Sequence, residues 1–319
     1  MSYAVPVRLA GCIAAMLLAL PCAMPAPAQT QTVIRLGVGP GDAFSEGYYA
    51  QQQGFFKKAG LNVEIRPFRT GATIMTGVAA KSIDIGISNV PALAQEISRG
   101  APLVLIAGGG LYTTRDAISA LCVASGSPLR APADFVGKTI AVIALRDQSH
   151  LGTLAWLDHS QVDISKVHFI TLPFNEMAVG IESGLADAAL ITEPWLSAAV
   201  RTGKFRILAK PYDVIAPQFL IGVWFTTSEW YAEHSDIAKR FVKVIYETAR
   251  WANAHHEQTA KLLSQTSKVD VQTILSMTRT PYPTILDPAL VQPPLDMAFK
   301  YHAIDHALNA SNLIVKSDR

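Results

Sequence analysis

Charge is sparse in this chain and almost balanced: 27 Lys and Arg stand against 25 Asp and Glu in 319 residues, and charged residues make up only 16%. No basic run is longer than a pair such as Lys57-Lys58. The stripe of cations that neutralises a phosphate backbone is missing, which excludes nucleic acid as a partner. Cysteine is scarcer still, three in all, so no disulfide framework or paired-cysteine zinc site is expected. The eight histidines (His150, His159, His168, His234, His255, His256, His302 and His306) lack the H-E-x-x-H spacing, and no metal or other cofactor is expected. His302 and His306 stand four apart, a spacing that suits a metal on a helix, but solvated histidines near a C-terminus are the commoner case. Low-complexity linkers and long internal repeats are absent, as is any apolar run of the roughly 20 residues needed to span a bilayer. What is present is a hydrophobic content of 50%, enough to bury a substantial core, and a length that suits two compact units.

The first residues read as a leader. Arg8 is the only charged side chain before Arg35, an apolar stretch occupies 9–20, and small residues end in Ala26-Pro27-Ala28. That order of basic, apolar and A-x-A segments predicts a secretory signal over 1–28, cleaved after Ala28, and export to the periplasm. Leu9-Ala10-Gly11-Cys12 spells a lipoprotein box, but the apolar stretch that should precede it follows it, so no lipid anchor is expected. Cys12 and Cys22 leave with the leader, and Cys122, in the apolar run 118–124, reads as a core residue.

Beyond the leader, strand and helix patterns alternate. A strand over 33–38 breaks at Gly39-Pro40-Gly41; a helix with apolar positions from Phe44 to Ala59 ends at Gly60; a strand follows over 61–65. A helix over 73–80, a strand over 83–87, a helix over 91–99 and a strand over 103–106 continue the series. A second series has strands over 139–143, 167–170, 188–191 and 205–208, with helices starting at Ser149 and Asn175. The apolar segments 118–124 and 219–226 bracket it and read as two crossovers forming a hinge. Ile237, Phe241, Val244, Ile245, Thr248 and Ala252 mark a buried helical stripe near the end. The fold class predicted is α/β: two lobes with mixed, mostly parallel sheets, and ligand contacts at the carboxyl ends of the strands.

Five stretches resemble a known family: GFFKKAGLNVEI (54–65), RTGATIMTGVAAKSIDIGISNVPAL (69–93), GKTIAV (137–142), ADAALITEPW (186–195) and GVWFTTSEWYAEH (222–234). They look like the periplasmic binding proteins of ABC importers for aliphatic sulfonates, taurine, nitrate and thiamine-pyrimidine precursors. The resemblance implies a type II periplasmic-binding-protein fold, with 29–120 as the first part of lobe one, 121–213 as lobe two, and 214–319 as the return with C-terminal helices. It implies a monomer without catalysis that captures a small molecule and hands it to a permease with its ATPase. Carried over position by position, the loop from Gly39 through Asp42 and Phe44, the Gly71-Ala72-Thr73 helix start and Ser88-Asn89 face the ligand from lobe one. Gln148, Ser149, His150 and Glu193 face it from lobe two.

Helix starts at Thr73 and Ser149 offer free backbone N–H groups to an acceptor or an anion. The chain departs from the sulfonate pattern at Arg146-Asp147-Gln148-Ser149, where those proteins carry glycine and serines. An Asp at a helix start competes with an anionic ligand for the same donors. Glu193 adds a carboxylate suited to an amino group, and Phe44, Tyr48, Trp195 and Trp224 offer stacking faces. The reading favours a neutral or amine-bearing heterocycle of pyrimidine type, because unpaired buried charge is costly. If Arg146 enters the cleft, a carboxylate, sulfonate or nitrate fits better.

Plainer readings stand beside these. Gly37-x-Gly39-x-x-Asp42 lacks the third glycine of a dinucleotide fingerprint, and Asp42 suits a helix cap. His150 suits a structural hydrogen bond, Glu193 before Pro194 a cap, Trp195 and Trp224 the core, and Gly108-Gly109-Gly110 a turn. An enzyme or a sensory module on the same fold is left open, although no nucleophile–base pair or cysteine-rich iron motif is recognisable.

Overall fold

The computed structural model describes residues 1–6 and 32–315, so the expected leader beyond its first six residues lies outside the described residues. The strands are β1 (Val33–Val38), β2 (Asn62–Pro67), β3 (Ile85–Ser88), β4 (Leu103–Gly108), β5 (Leu111–Thr113), β6 (Ser119–Ala124), β7 (Thr139–Val142), β8 (His168–Thr171), β9 (Ala188–Thr192), β10 (Phe205–Ala209), β11 (Gln218–Leu220) and β12 (Val223–Thr227). The helices begin with α1 (Glu46–Gln52), α2 (Phe55–Lys58), α3 (Gly71–Ala79), α4 (Val90–Ser98), α5 (Gln148–His159), α6 (Met177–Glu182), α7 (Trp195–Arg201) and α8 (Ser228–Glu233). They continue as α9 (Ser235–Ala254), α10 (His256–Ser267), α11 (Val271–Ser276) and α12 (Pro288–Lys300).

Two five-stranded sheets share one plan. The first has the order β2-β1-β3-β12-β4 and the second β10-β6-β9-β7-β8. In each, three strands pair in parallel and one strand runs against its neighbours: β12 between β3 and β4, and β6 between β9 and β10. This is the periplasmic-binding-protein architecture of two lobes with mostly parallel sheets. Both faces of each sheet are covered. Val223 and Phe225 of β12 point into one core with Ile74 and Leu93, while Trp224 between them enters another with Phe241 and Val244. In the second sheet Leu121 and Val123 pack with Ile140 and Leu190, and Ala120 and Cys122 pack on the other face with Ala141 and Ile191. Strands buried on two sides are apolar at every position, which is why they appear in the sequence as unbroken runs.

That same physics overturns one expectation. The segments 118–124 and 219–226 look like crossovers, yet β6 is an interior strand of the second sheet, and of 219–226 only Phe219 and Leu220 lie in a crossing strand while the residues from Val223 on form β12, an interior strand of the first. The two sheets are joined by a two-stranded antiparallel ribbon of β5 and β11, with Phe219 opposite Tyr112. An interior strand and a buried hinge are equally apolar, so hydrophobicity cannot separate them. A second correction concerns the helix expected from Phe44 to Ala59. It is broken into α1 and α2 at Gly54, whose φ of 70° is left-handed and ends a helix. The helix expected from Asn175 begins two residues later, after a 3₁₀ turn over Phe174–Glu176. The stripe near the end is borne out: Phe241, Val244, Ile245, Thr248 and Ala252 are buried on α9.

Beside the ribbon, the backbone N–H groups of Ile221 and Gly222 both donate to the Gly110 carbonyl, at 2.9 and 3.1 Å. A Cβ at Gly110 would stand 2.6 Å from the Ala43 Cβ and 2.7 Å from its carbonyl oxygen. Neither neighbour is a flexible side-chain end, so Gly110→Ala is expected to cost about 1–3 kcal/mol. Urea denaturation reads this directly; an unchanged midpoint would show that the Ala43 loop can retreat.

Candidate functional site

A cleft of ≈ 230 Å³ lies between the sheets. Three helices begin at it, α3 and α4 from lobe one and α5 from lobe two, and each start is capped by a side chain of the preceding residue. Thr70 Oγ1 accepts from the Thr73 N–H at 3.3 Å, and Asn89 Oδ1 from the Ala92 N–H at 3.0 Å. Asp147 Oδ1 accepts from the N–H groups of Ser149 and His150, at 2.9 and 3.1 Å, and from the Ser149 hydroxyl at 2.6 Å. The Ser149 hydroxyl accepts in turn from the Ile143 N–H at 3.2 Å. These residue types occupy those positions because an oxygen there satisfies donors that the first helical turn leaves free.

Of the expected residues, the cleft brings together Gly39, Phe44, Gly71, Ala72, Asn89, Gln148 and Ser149. Phe44, Met75, Ile87, Phe174 and Ile221 supply apolar wall, and the hydroxyl-bearing residues Ser119, Thr192 and Tyr212 line the same space. Gln148 is 2% exposed, and both its amide oxygen and its amide nitrogen lack a hydrogen-bond partner. Burial pushes the Asp147 carboxyl up to about 6, against the hydrogen bonds from Ser149 and His150. Arg69 and Arg99 stand at the rim, exposed, with Arg99 paired to Glu96 at 2.7 Å. Across the mouth, the Gln95 amide of α4 donates to the Arg146 carbonyl of lobe two at 2.8 Å.

The remaining expected residues are placed elsewhere. Trp224 is 0% exposed, and its indole N–H donates to Glu46 Oε2 at 2.9 Å, so it is core and no stacking face. Asp42 is buried against Arg279, with N–O distances of 3.0 Å at two nitrogens, and accepts from the Thr280 N–H and the Tyr49 hydroxyl at 2.8 and 3.1 Å. Burial opposes the Arg279 charge, but the Asp42 carboxylate outweighs it and holds the guanidinium above its ordinary pKa. Glu193 does not line the cleft; its carboxylate accepts from the Ser197 N–H and hydroxyl at 3.0 and 2.8 Å, and burial pushes it up to about 7. The amine-binding role expected of Glu193 is therefore withdrawn, because its lone pairs serve the start of α7.

Trp195 stacks on Phe174 and lines a separate small pocket with Tyr48 and Pro40. Arg146 is exposed, away from the cleft lining, and adopts a positive φ of 62°. Its N–H donates to His150 Nδ1 at 3.1 Å, and the His150 ring meets Phe169 edge-on. Burial, helped by Arg146, lowers the His150 pKa to about 4, leaving it neutral at pH 7. Thr73 is exposed on α3, and Ser88 lies beneath Gly71, where a Cβ would come within 2.1 Å of the Ser88 hydroxyl. That approach explains the glycine at the head of α3.

Sequence reasoning noted Asp147 as a departure without counting it among the contacts, and it missed Gln95, Tyr212 and the Arg279 partner of Asp42. Asp147 was recoverable from the R-D-Q-S spelling; Arg279, 237 residues from Asp42, carries no local signal. Among the described residues no group of three His, Cys, Asp or Glu is placed to hold a metal ion, and no helix is long and apolar enough to cross a membrane.

Comparison with known proteins identifies relatives and a shared fold. The "Putative aliphatic sulfonates-binding protein" of Bacillus subtilis (strain 168) is 26% identical over 294 residues, which cover 88% of this chain and 85% of that protein. The taurine-binding periplasmic protein of Escherichia coli (strain K12) is 26% identical over 192 residues, 59% of this chain and 57% of that one. The alkanesulfonate-binding protein SsuA from Xanthomonas axonopodis pv. citri, solved bound to MOPS, superposes with a TM-score of 0.76 at 18% identity, over 89% of this chain and 98% of its own. The family described as NMT1/THI5 like matches residues 43–259, more than half of the sequence, and the chain belongs to that family.

Proposed function

We propose that this chain is the solute-binding component of an ABC importer: a monomer, exported to the periplasm, that holds one small molecule in the cleft and presents it to a permease with its ATPase. The observation that carries the reading is the cleft itself, which lies between two separately built sheets and receives helix starts from both. A molecule seated there touches both lobes at once, so its binding energy favours the closed arrangement over the open one. Support also comes from the two relatives described above, whose names are those of binding proteins.

The lining favours capture over chemistry. Ser149 is hydrogen-bonded to Asp147, and no histidine stands beside it as a base; His150 is turned to the Arg146 backbone. The test is native mass spectrometry of the mature chain purified from its own periplasm. One small molecule per chain, released unchanged on denaturation, is the expected result. Conversion of that molecule by the purified protein would overturn it.

A further inference from the structure

Two of the relatives are named for sulfonate-bearing ligands, aliphatic sulfonates and taurine, yet the lobe-two half of this cleft is built against an oxyanion. An oxyanion bound at a helix start needs the free N–H groups of the first turn. At α5 those of Ser149 and His150, together with the Ser149 hydroxyl, are already taken by Asp147 Oδ1. The occupant is a carboxylate, 5% exposed, lining the cleft. All three of these bonds go to one oxygen, which leaves Oδ2 open to a donor in the cleft. The lining arginines, Arg69 and Arg99, are at the rim and exposed, and Arg99 is already engaged with Glu96.

Next to Asp147 stands a second, independent sign. The Gln148 amide is buried in the cleft wall with donor and acceptor both unpaired. A buried amide left in that state is costly, and a bound group that offers one acceptor and one donor side by side removes the cost. Around this polar pair the walls are Phe44, Met75, Ile87, Phe174 and Ile221, apolar surfaces for a flat body.

We propose that the cleft selects a small, non-anionic nitrogen compound that gives an N–H to Asp147 and a donor–acceptor edge to Gln148, and that it rejects oxyanions. This rests on the solute-binding reading above. Specificity of this kind comes from repulsion as well as attraction, since a like charge excludes a competitor that the walls would otherwise admit.

The experiment is titration calorimetry of the mature protein, Asp147→Asn and Gln148→Ala with ethanesulfonate and nitrate, alongside native mass spectrometry of co-purified solute from each. Asn keeps the helix cap and removes the charge; a circular dichroism melt confirms that each variant folds. The expected result is no binding of either oxyanion by the wild type, a gain of at least about tenfold in oxyanion affinity for Asp147→Asn, and a non-anionic co-purified solute lost from both variants. Tight oxyanion binding by the wild type that Asp147→Asn leaves unchanged would overturn the proposal while leaving the solute-binding reading intact. A wild type that carries and binds no solute at all would overturn both.

Discussion

Arg279→Met is expected to cost about 3–5 kcal/mol of folding stability, because it strands the Asp42 carboxylate in the interior without its counter-charge. Asp42 has a side-chain exposure of 0% and Arg279 of 10%, and the pair meets at 3.0 Å. The Tyr49 hydroxyl and Thr280 N–H bonds to Asp42 remain in the variant, but neither carries positive charge. Removing both charges together, in Asp42→Asn with Arg279→Met, should recover part of the loss, since the penalty belongs to the unpaired ion. Urea unfolding of the mature chain measures all three proteins. A cost below about 1 kcal/mol for the single variant would mean that water reaches Asp42 and screens it. The pair joins the loop after β1 to the C-terminal segment, and the Asp42 N–H donates to the Glu193 carbonyl at 3.4 Å, so the same cluster ties the two lobes on one flank of the cleft.

Glu46→Gln should have the opposite sign at alkaline pH. Glu46 is 0% exposed, and burial raises its carboxyl to about 8 from 4.5, with the Trp224 indole bond pulling the other way. Because the folded state holds the proton more tightly, its contribution is fully present below about pH 4.5 and is lost as pH rises through 8. The Gln side chain can keep the Trp224 bond through its amide oxygen and carries no charge to desolvate. At pH 8 and above the variant is expected to be more stable than the wild type by roughly 2–4 kcal/mol, with near equality at pH 5. Asp147 and Glu193, raised to about 6 and 7, titrate in the same window, but they are common to both proteins and drop out of the difference. A wild-type and variant difference that stays constant from pH 5 to pH 9 would show that Glu46 does not titrate there.

Local patterns carried most of the elements. Alternation and punctuation are short-range consequences of backbone geometry, so β1, α3, β3, α4, β7 and α9 were placed to within a residue or two. Where the same local pattern serves two architectures, the reading failed. Segment 118–124 is apolar because both faces of β6 are covered, which from within the sequence cannot be told from a buried crossover. Gly54 supplied a stop signal in the middle of what otherwise repeats as one helix.

The site divides in the same way. Caps are local chemistry, yet the sequence alone established only the Gly71-Ala72-Thr73 helix start and an Asp at the start of α5, along with family membership and fold class; Asn89, read there as a ligand contact, is shown as a cap by the structure. Which side chains face the cleft depends on partners far along the chain. Trp224 and Asp42 were withdrawn from it by Glu46 and Arg279, 178 and 237 residues away, and Glu193 by the start of its own helix. A polar side chain in a closed interior goes to whichever partner satisfies it, and only the three-dimensional arrangement decides that partner. Among the described residues Gln148 is the side chain left with both donor and acceptor unpartnered, while Ser88, Thr280 and one oxygen of Glu46 each leave a single atom so, and only the tertiary structure reveals this.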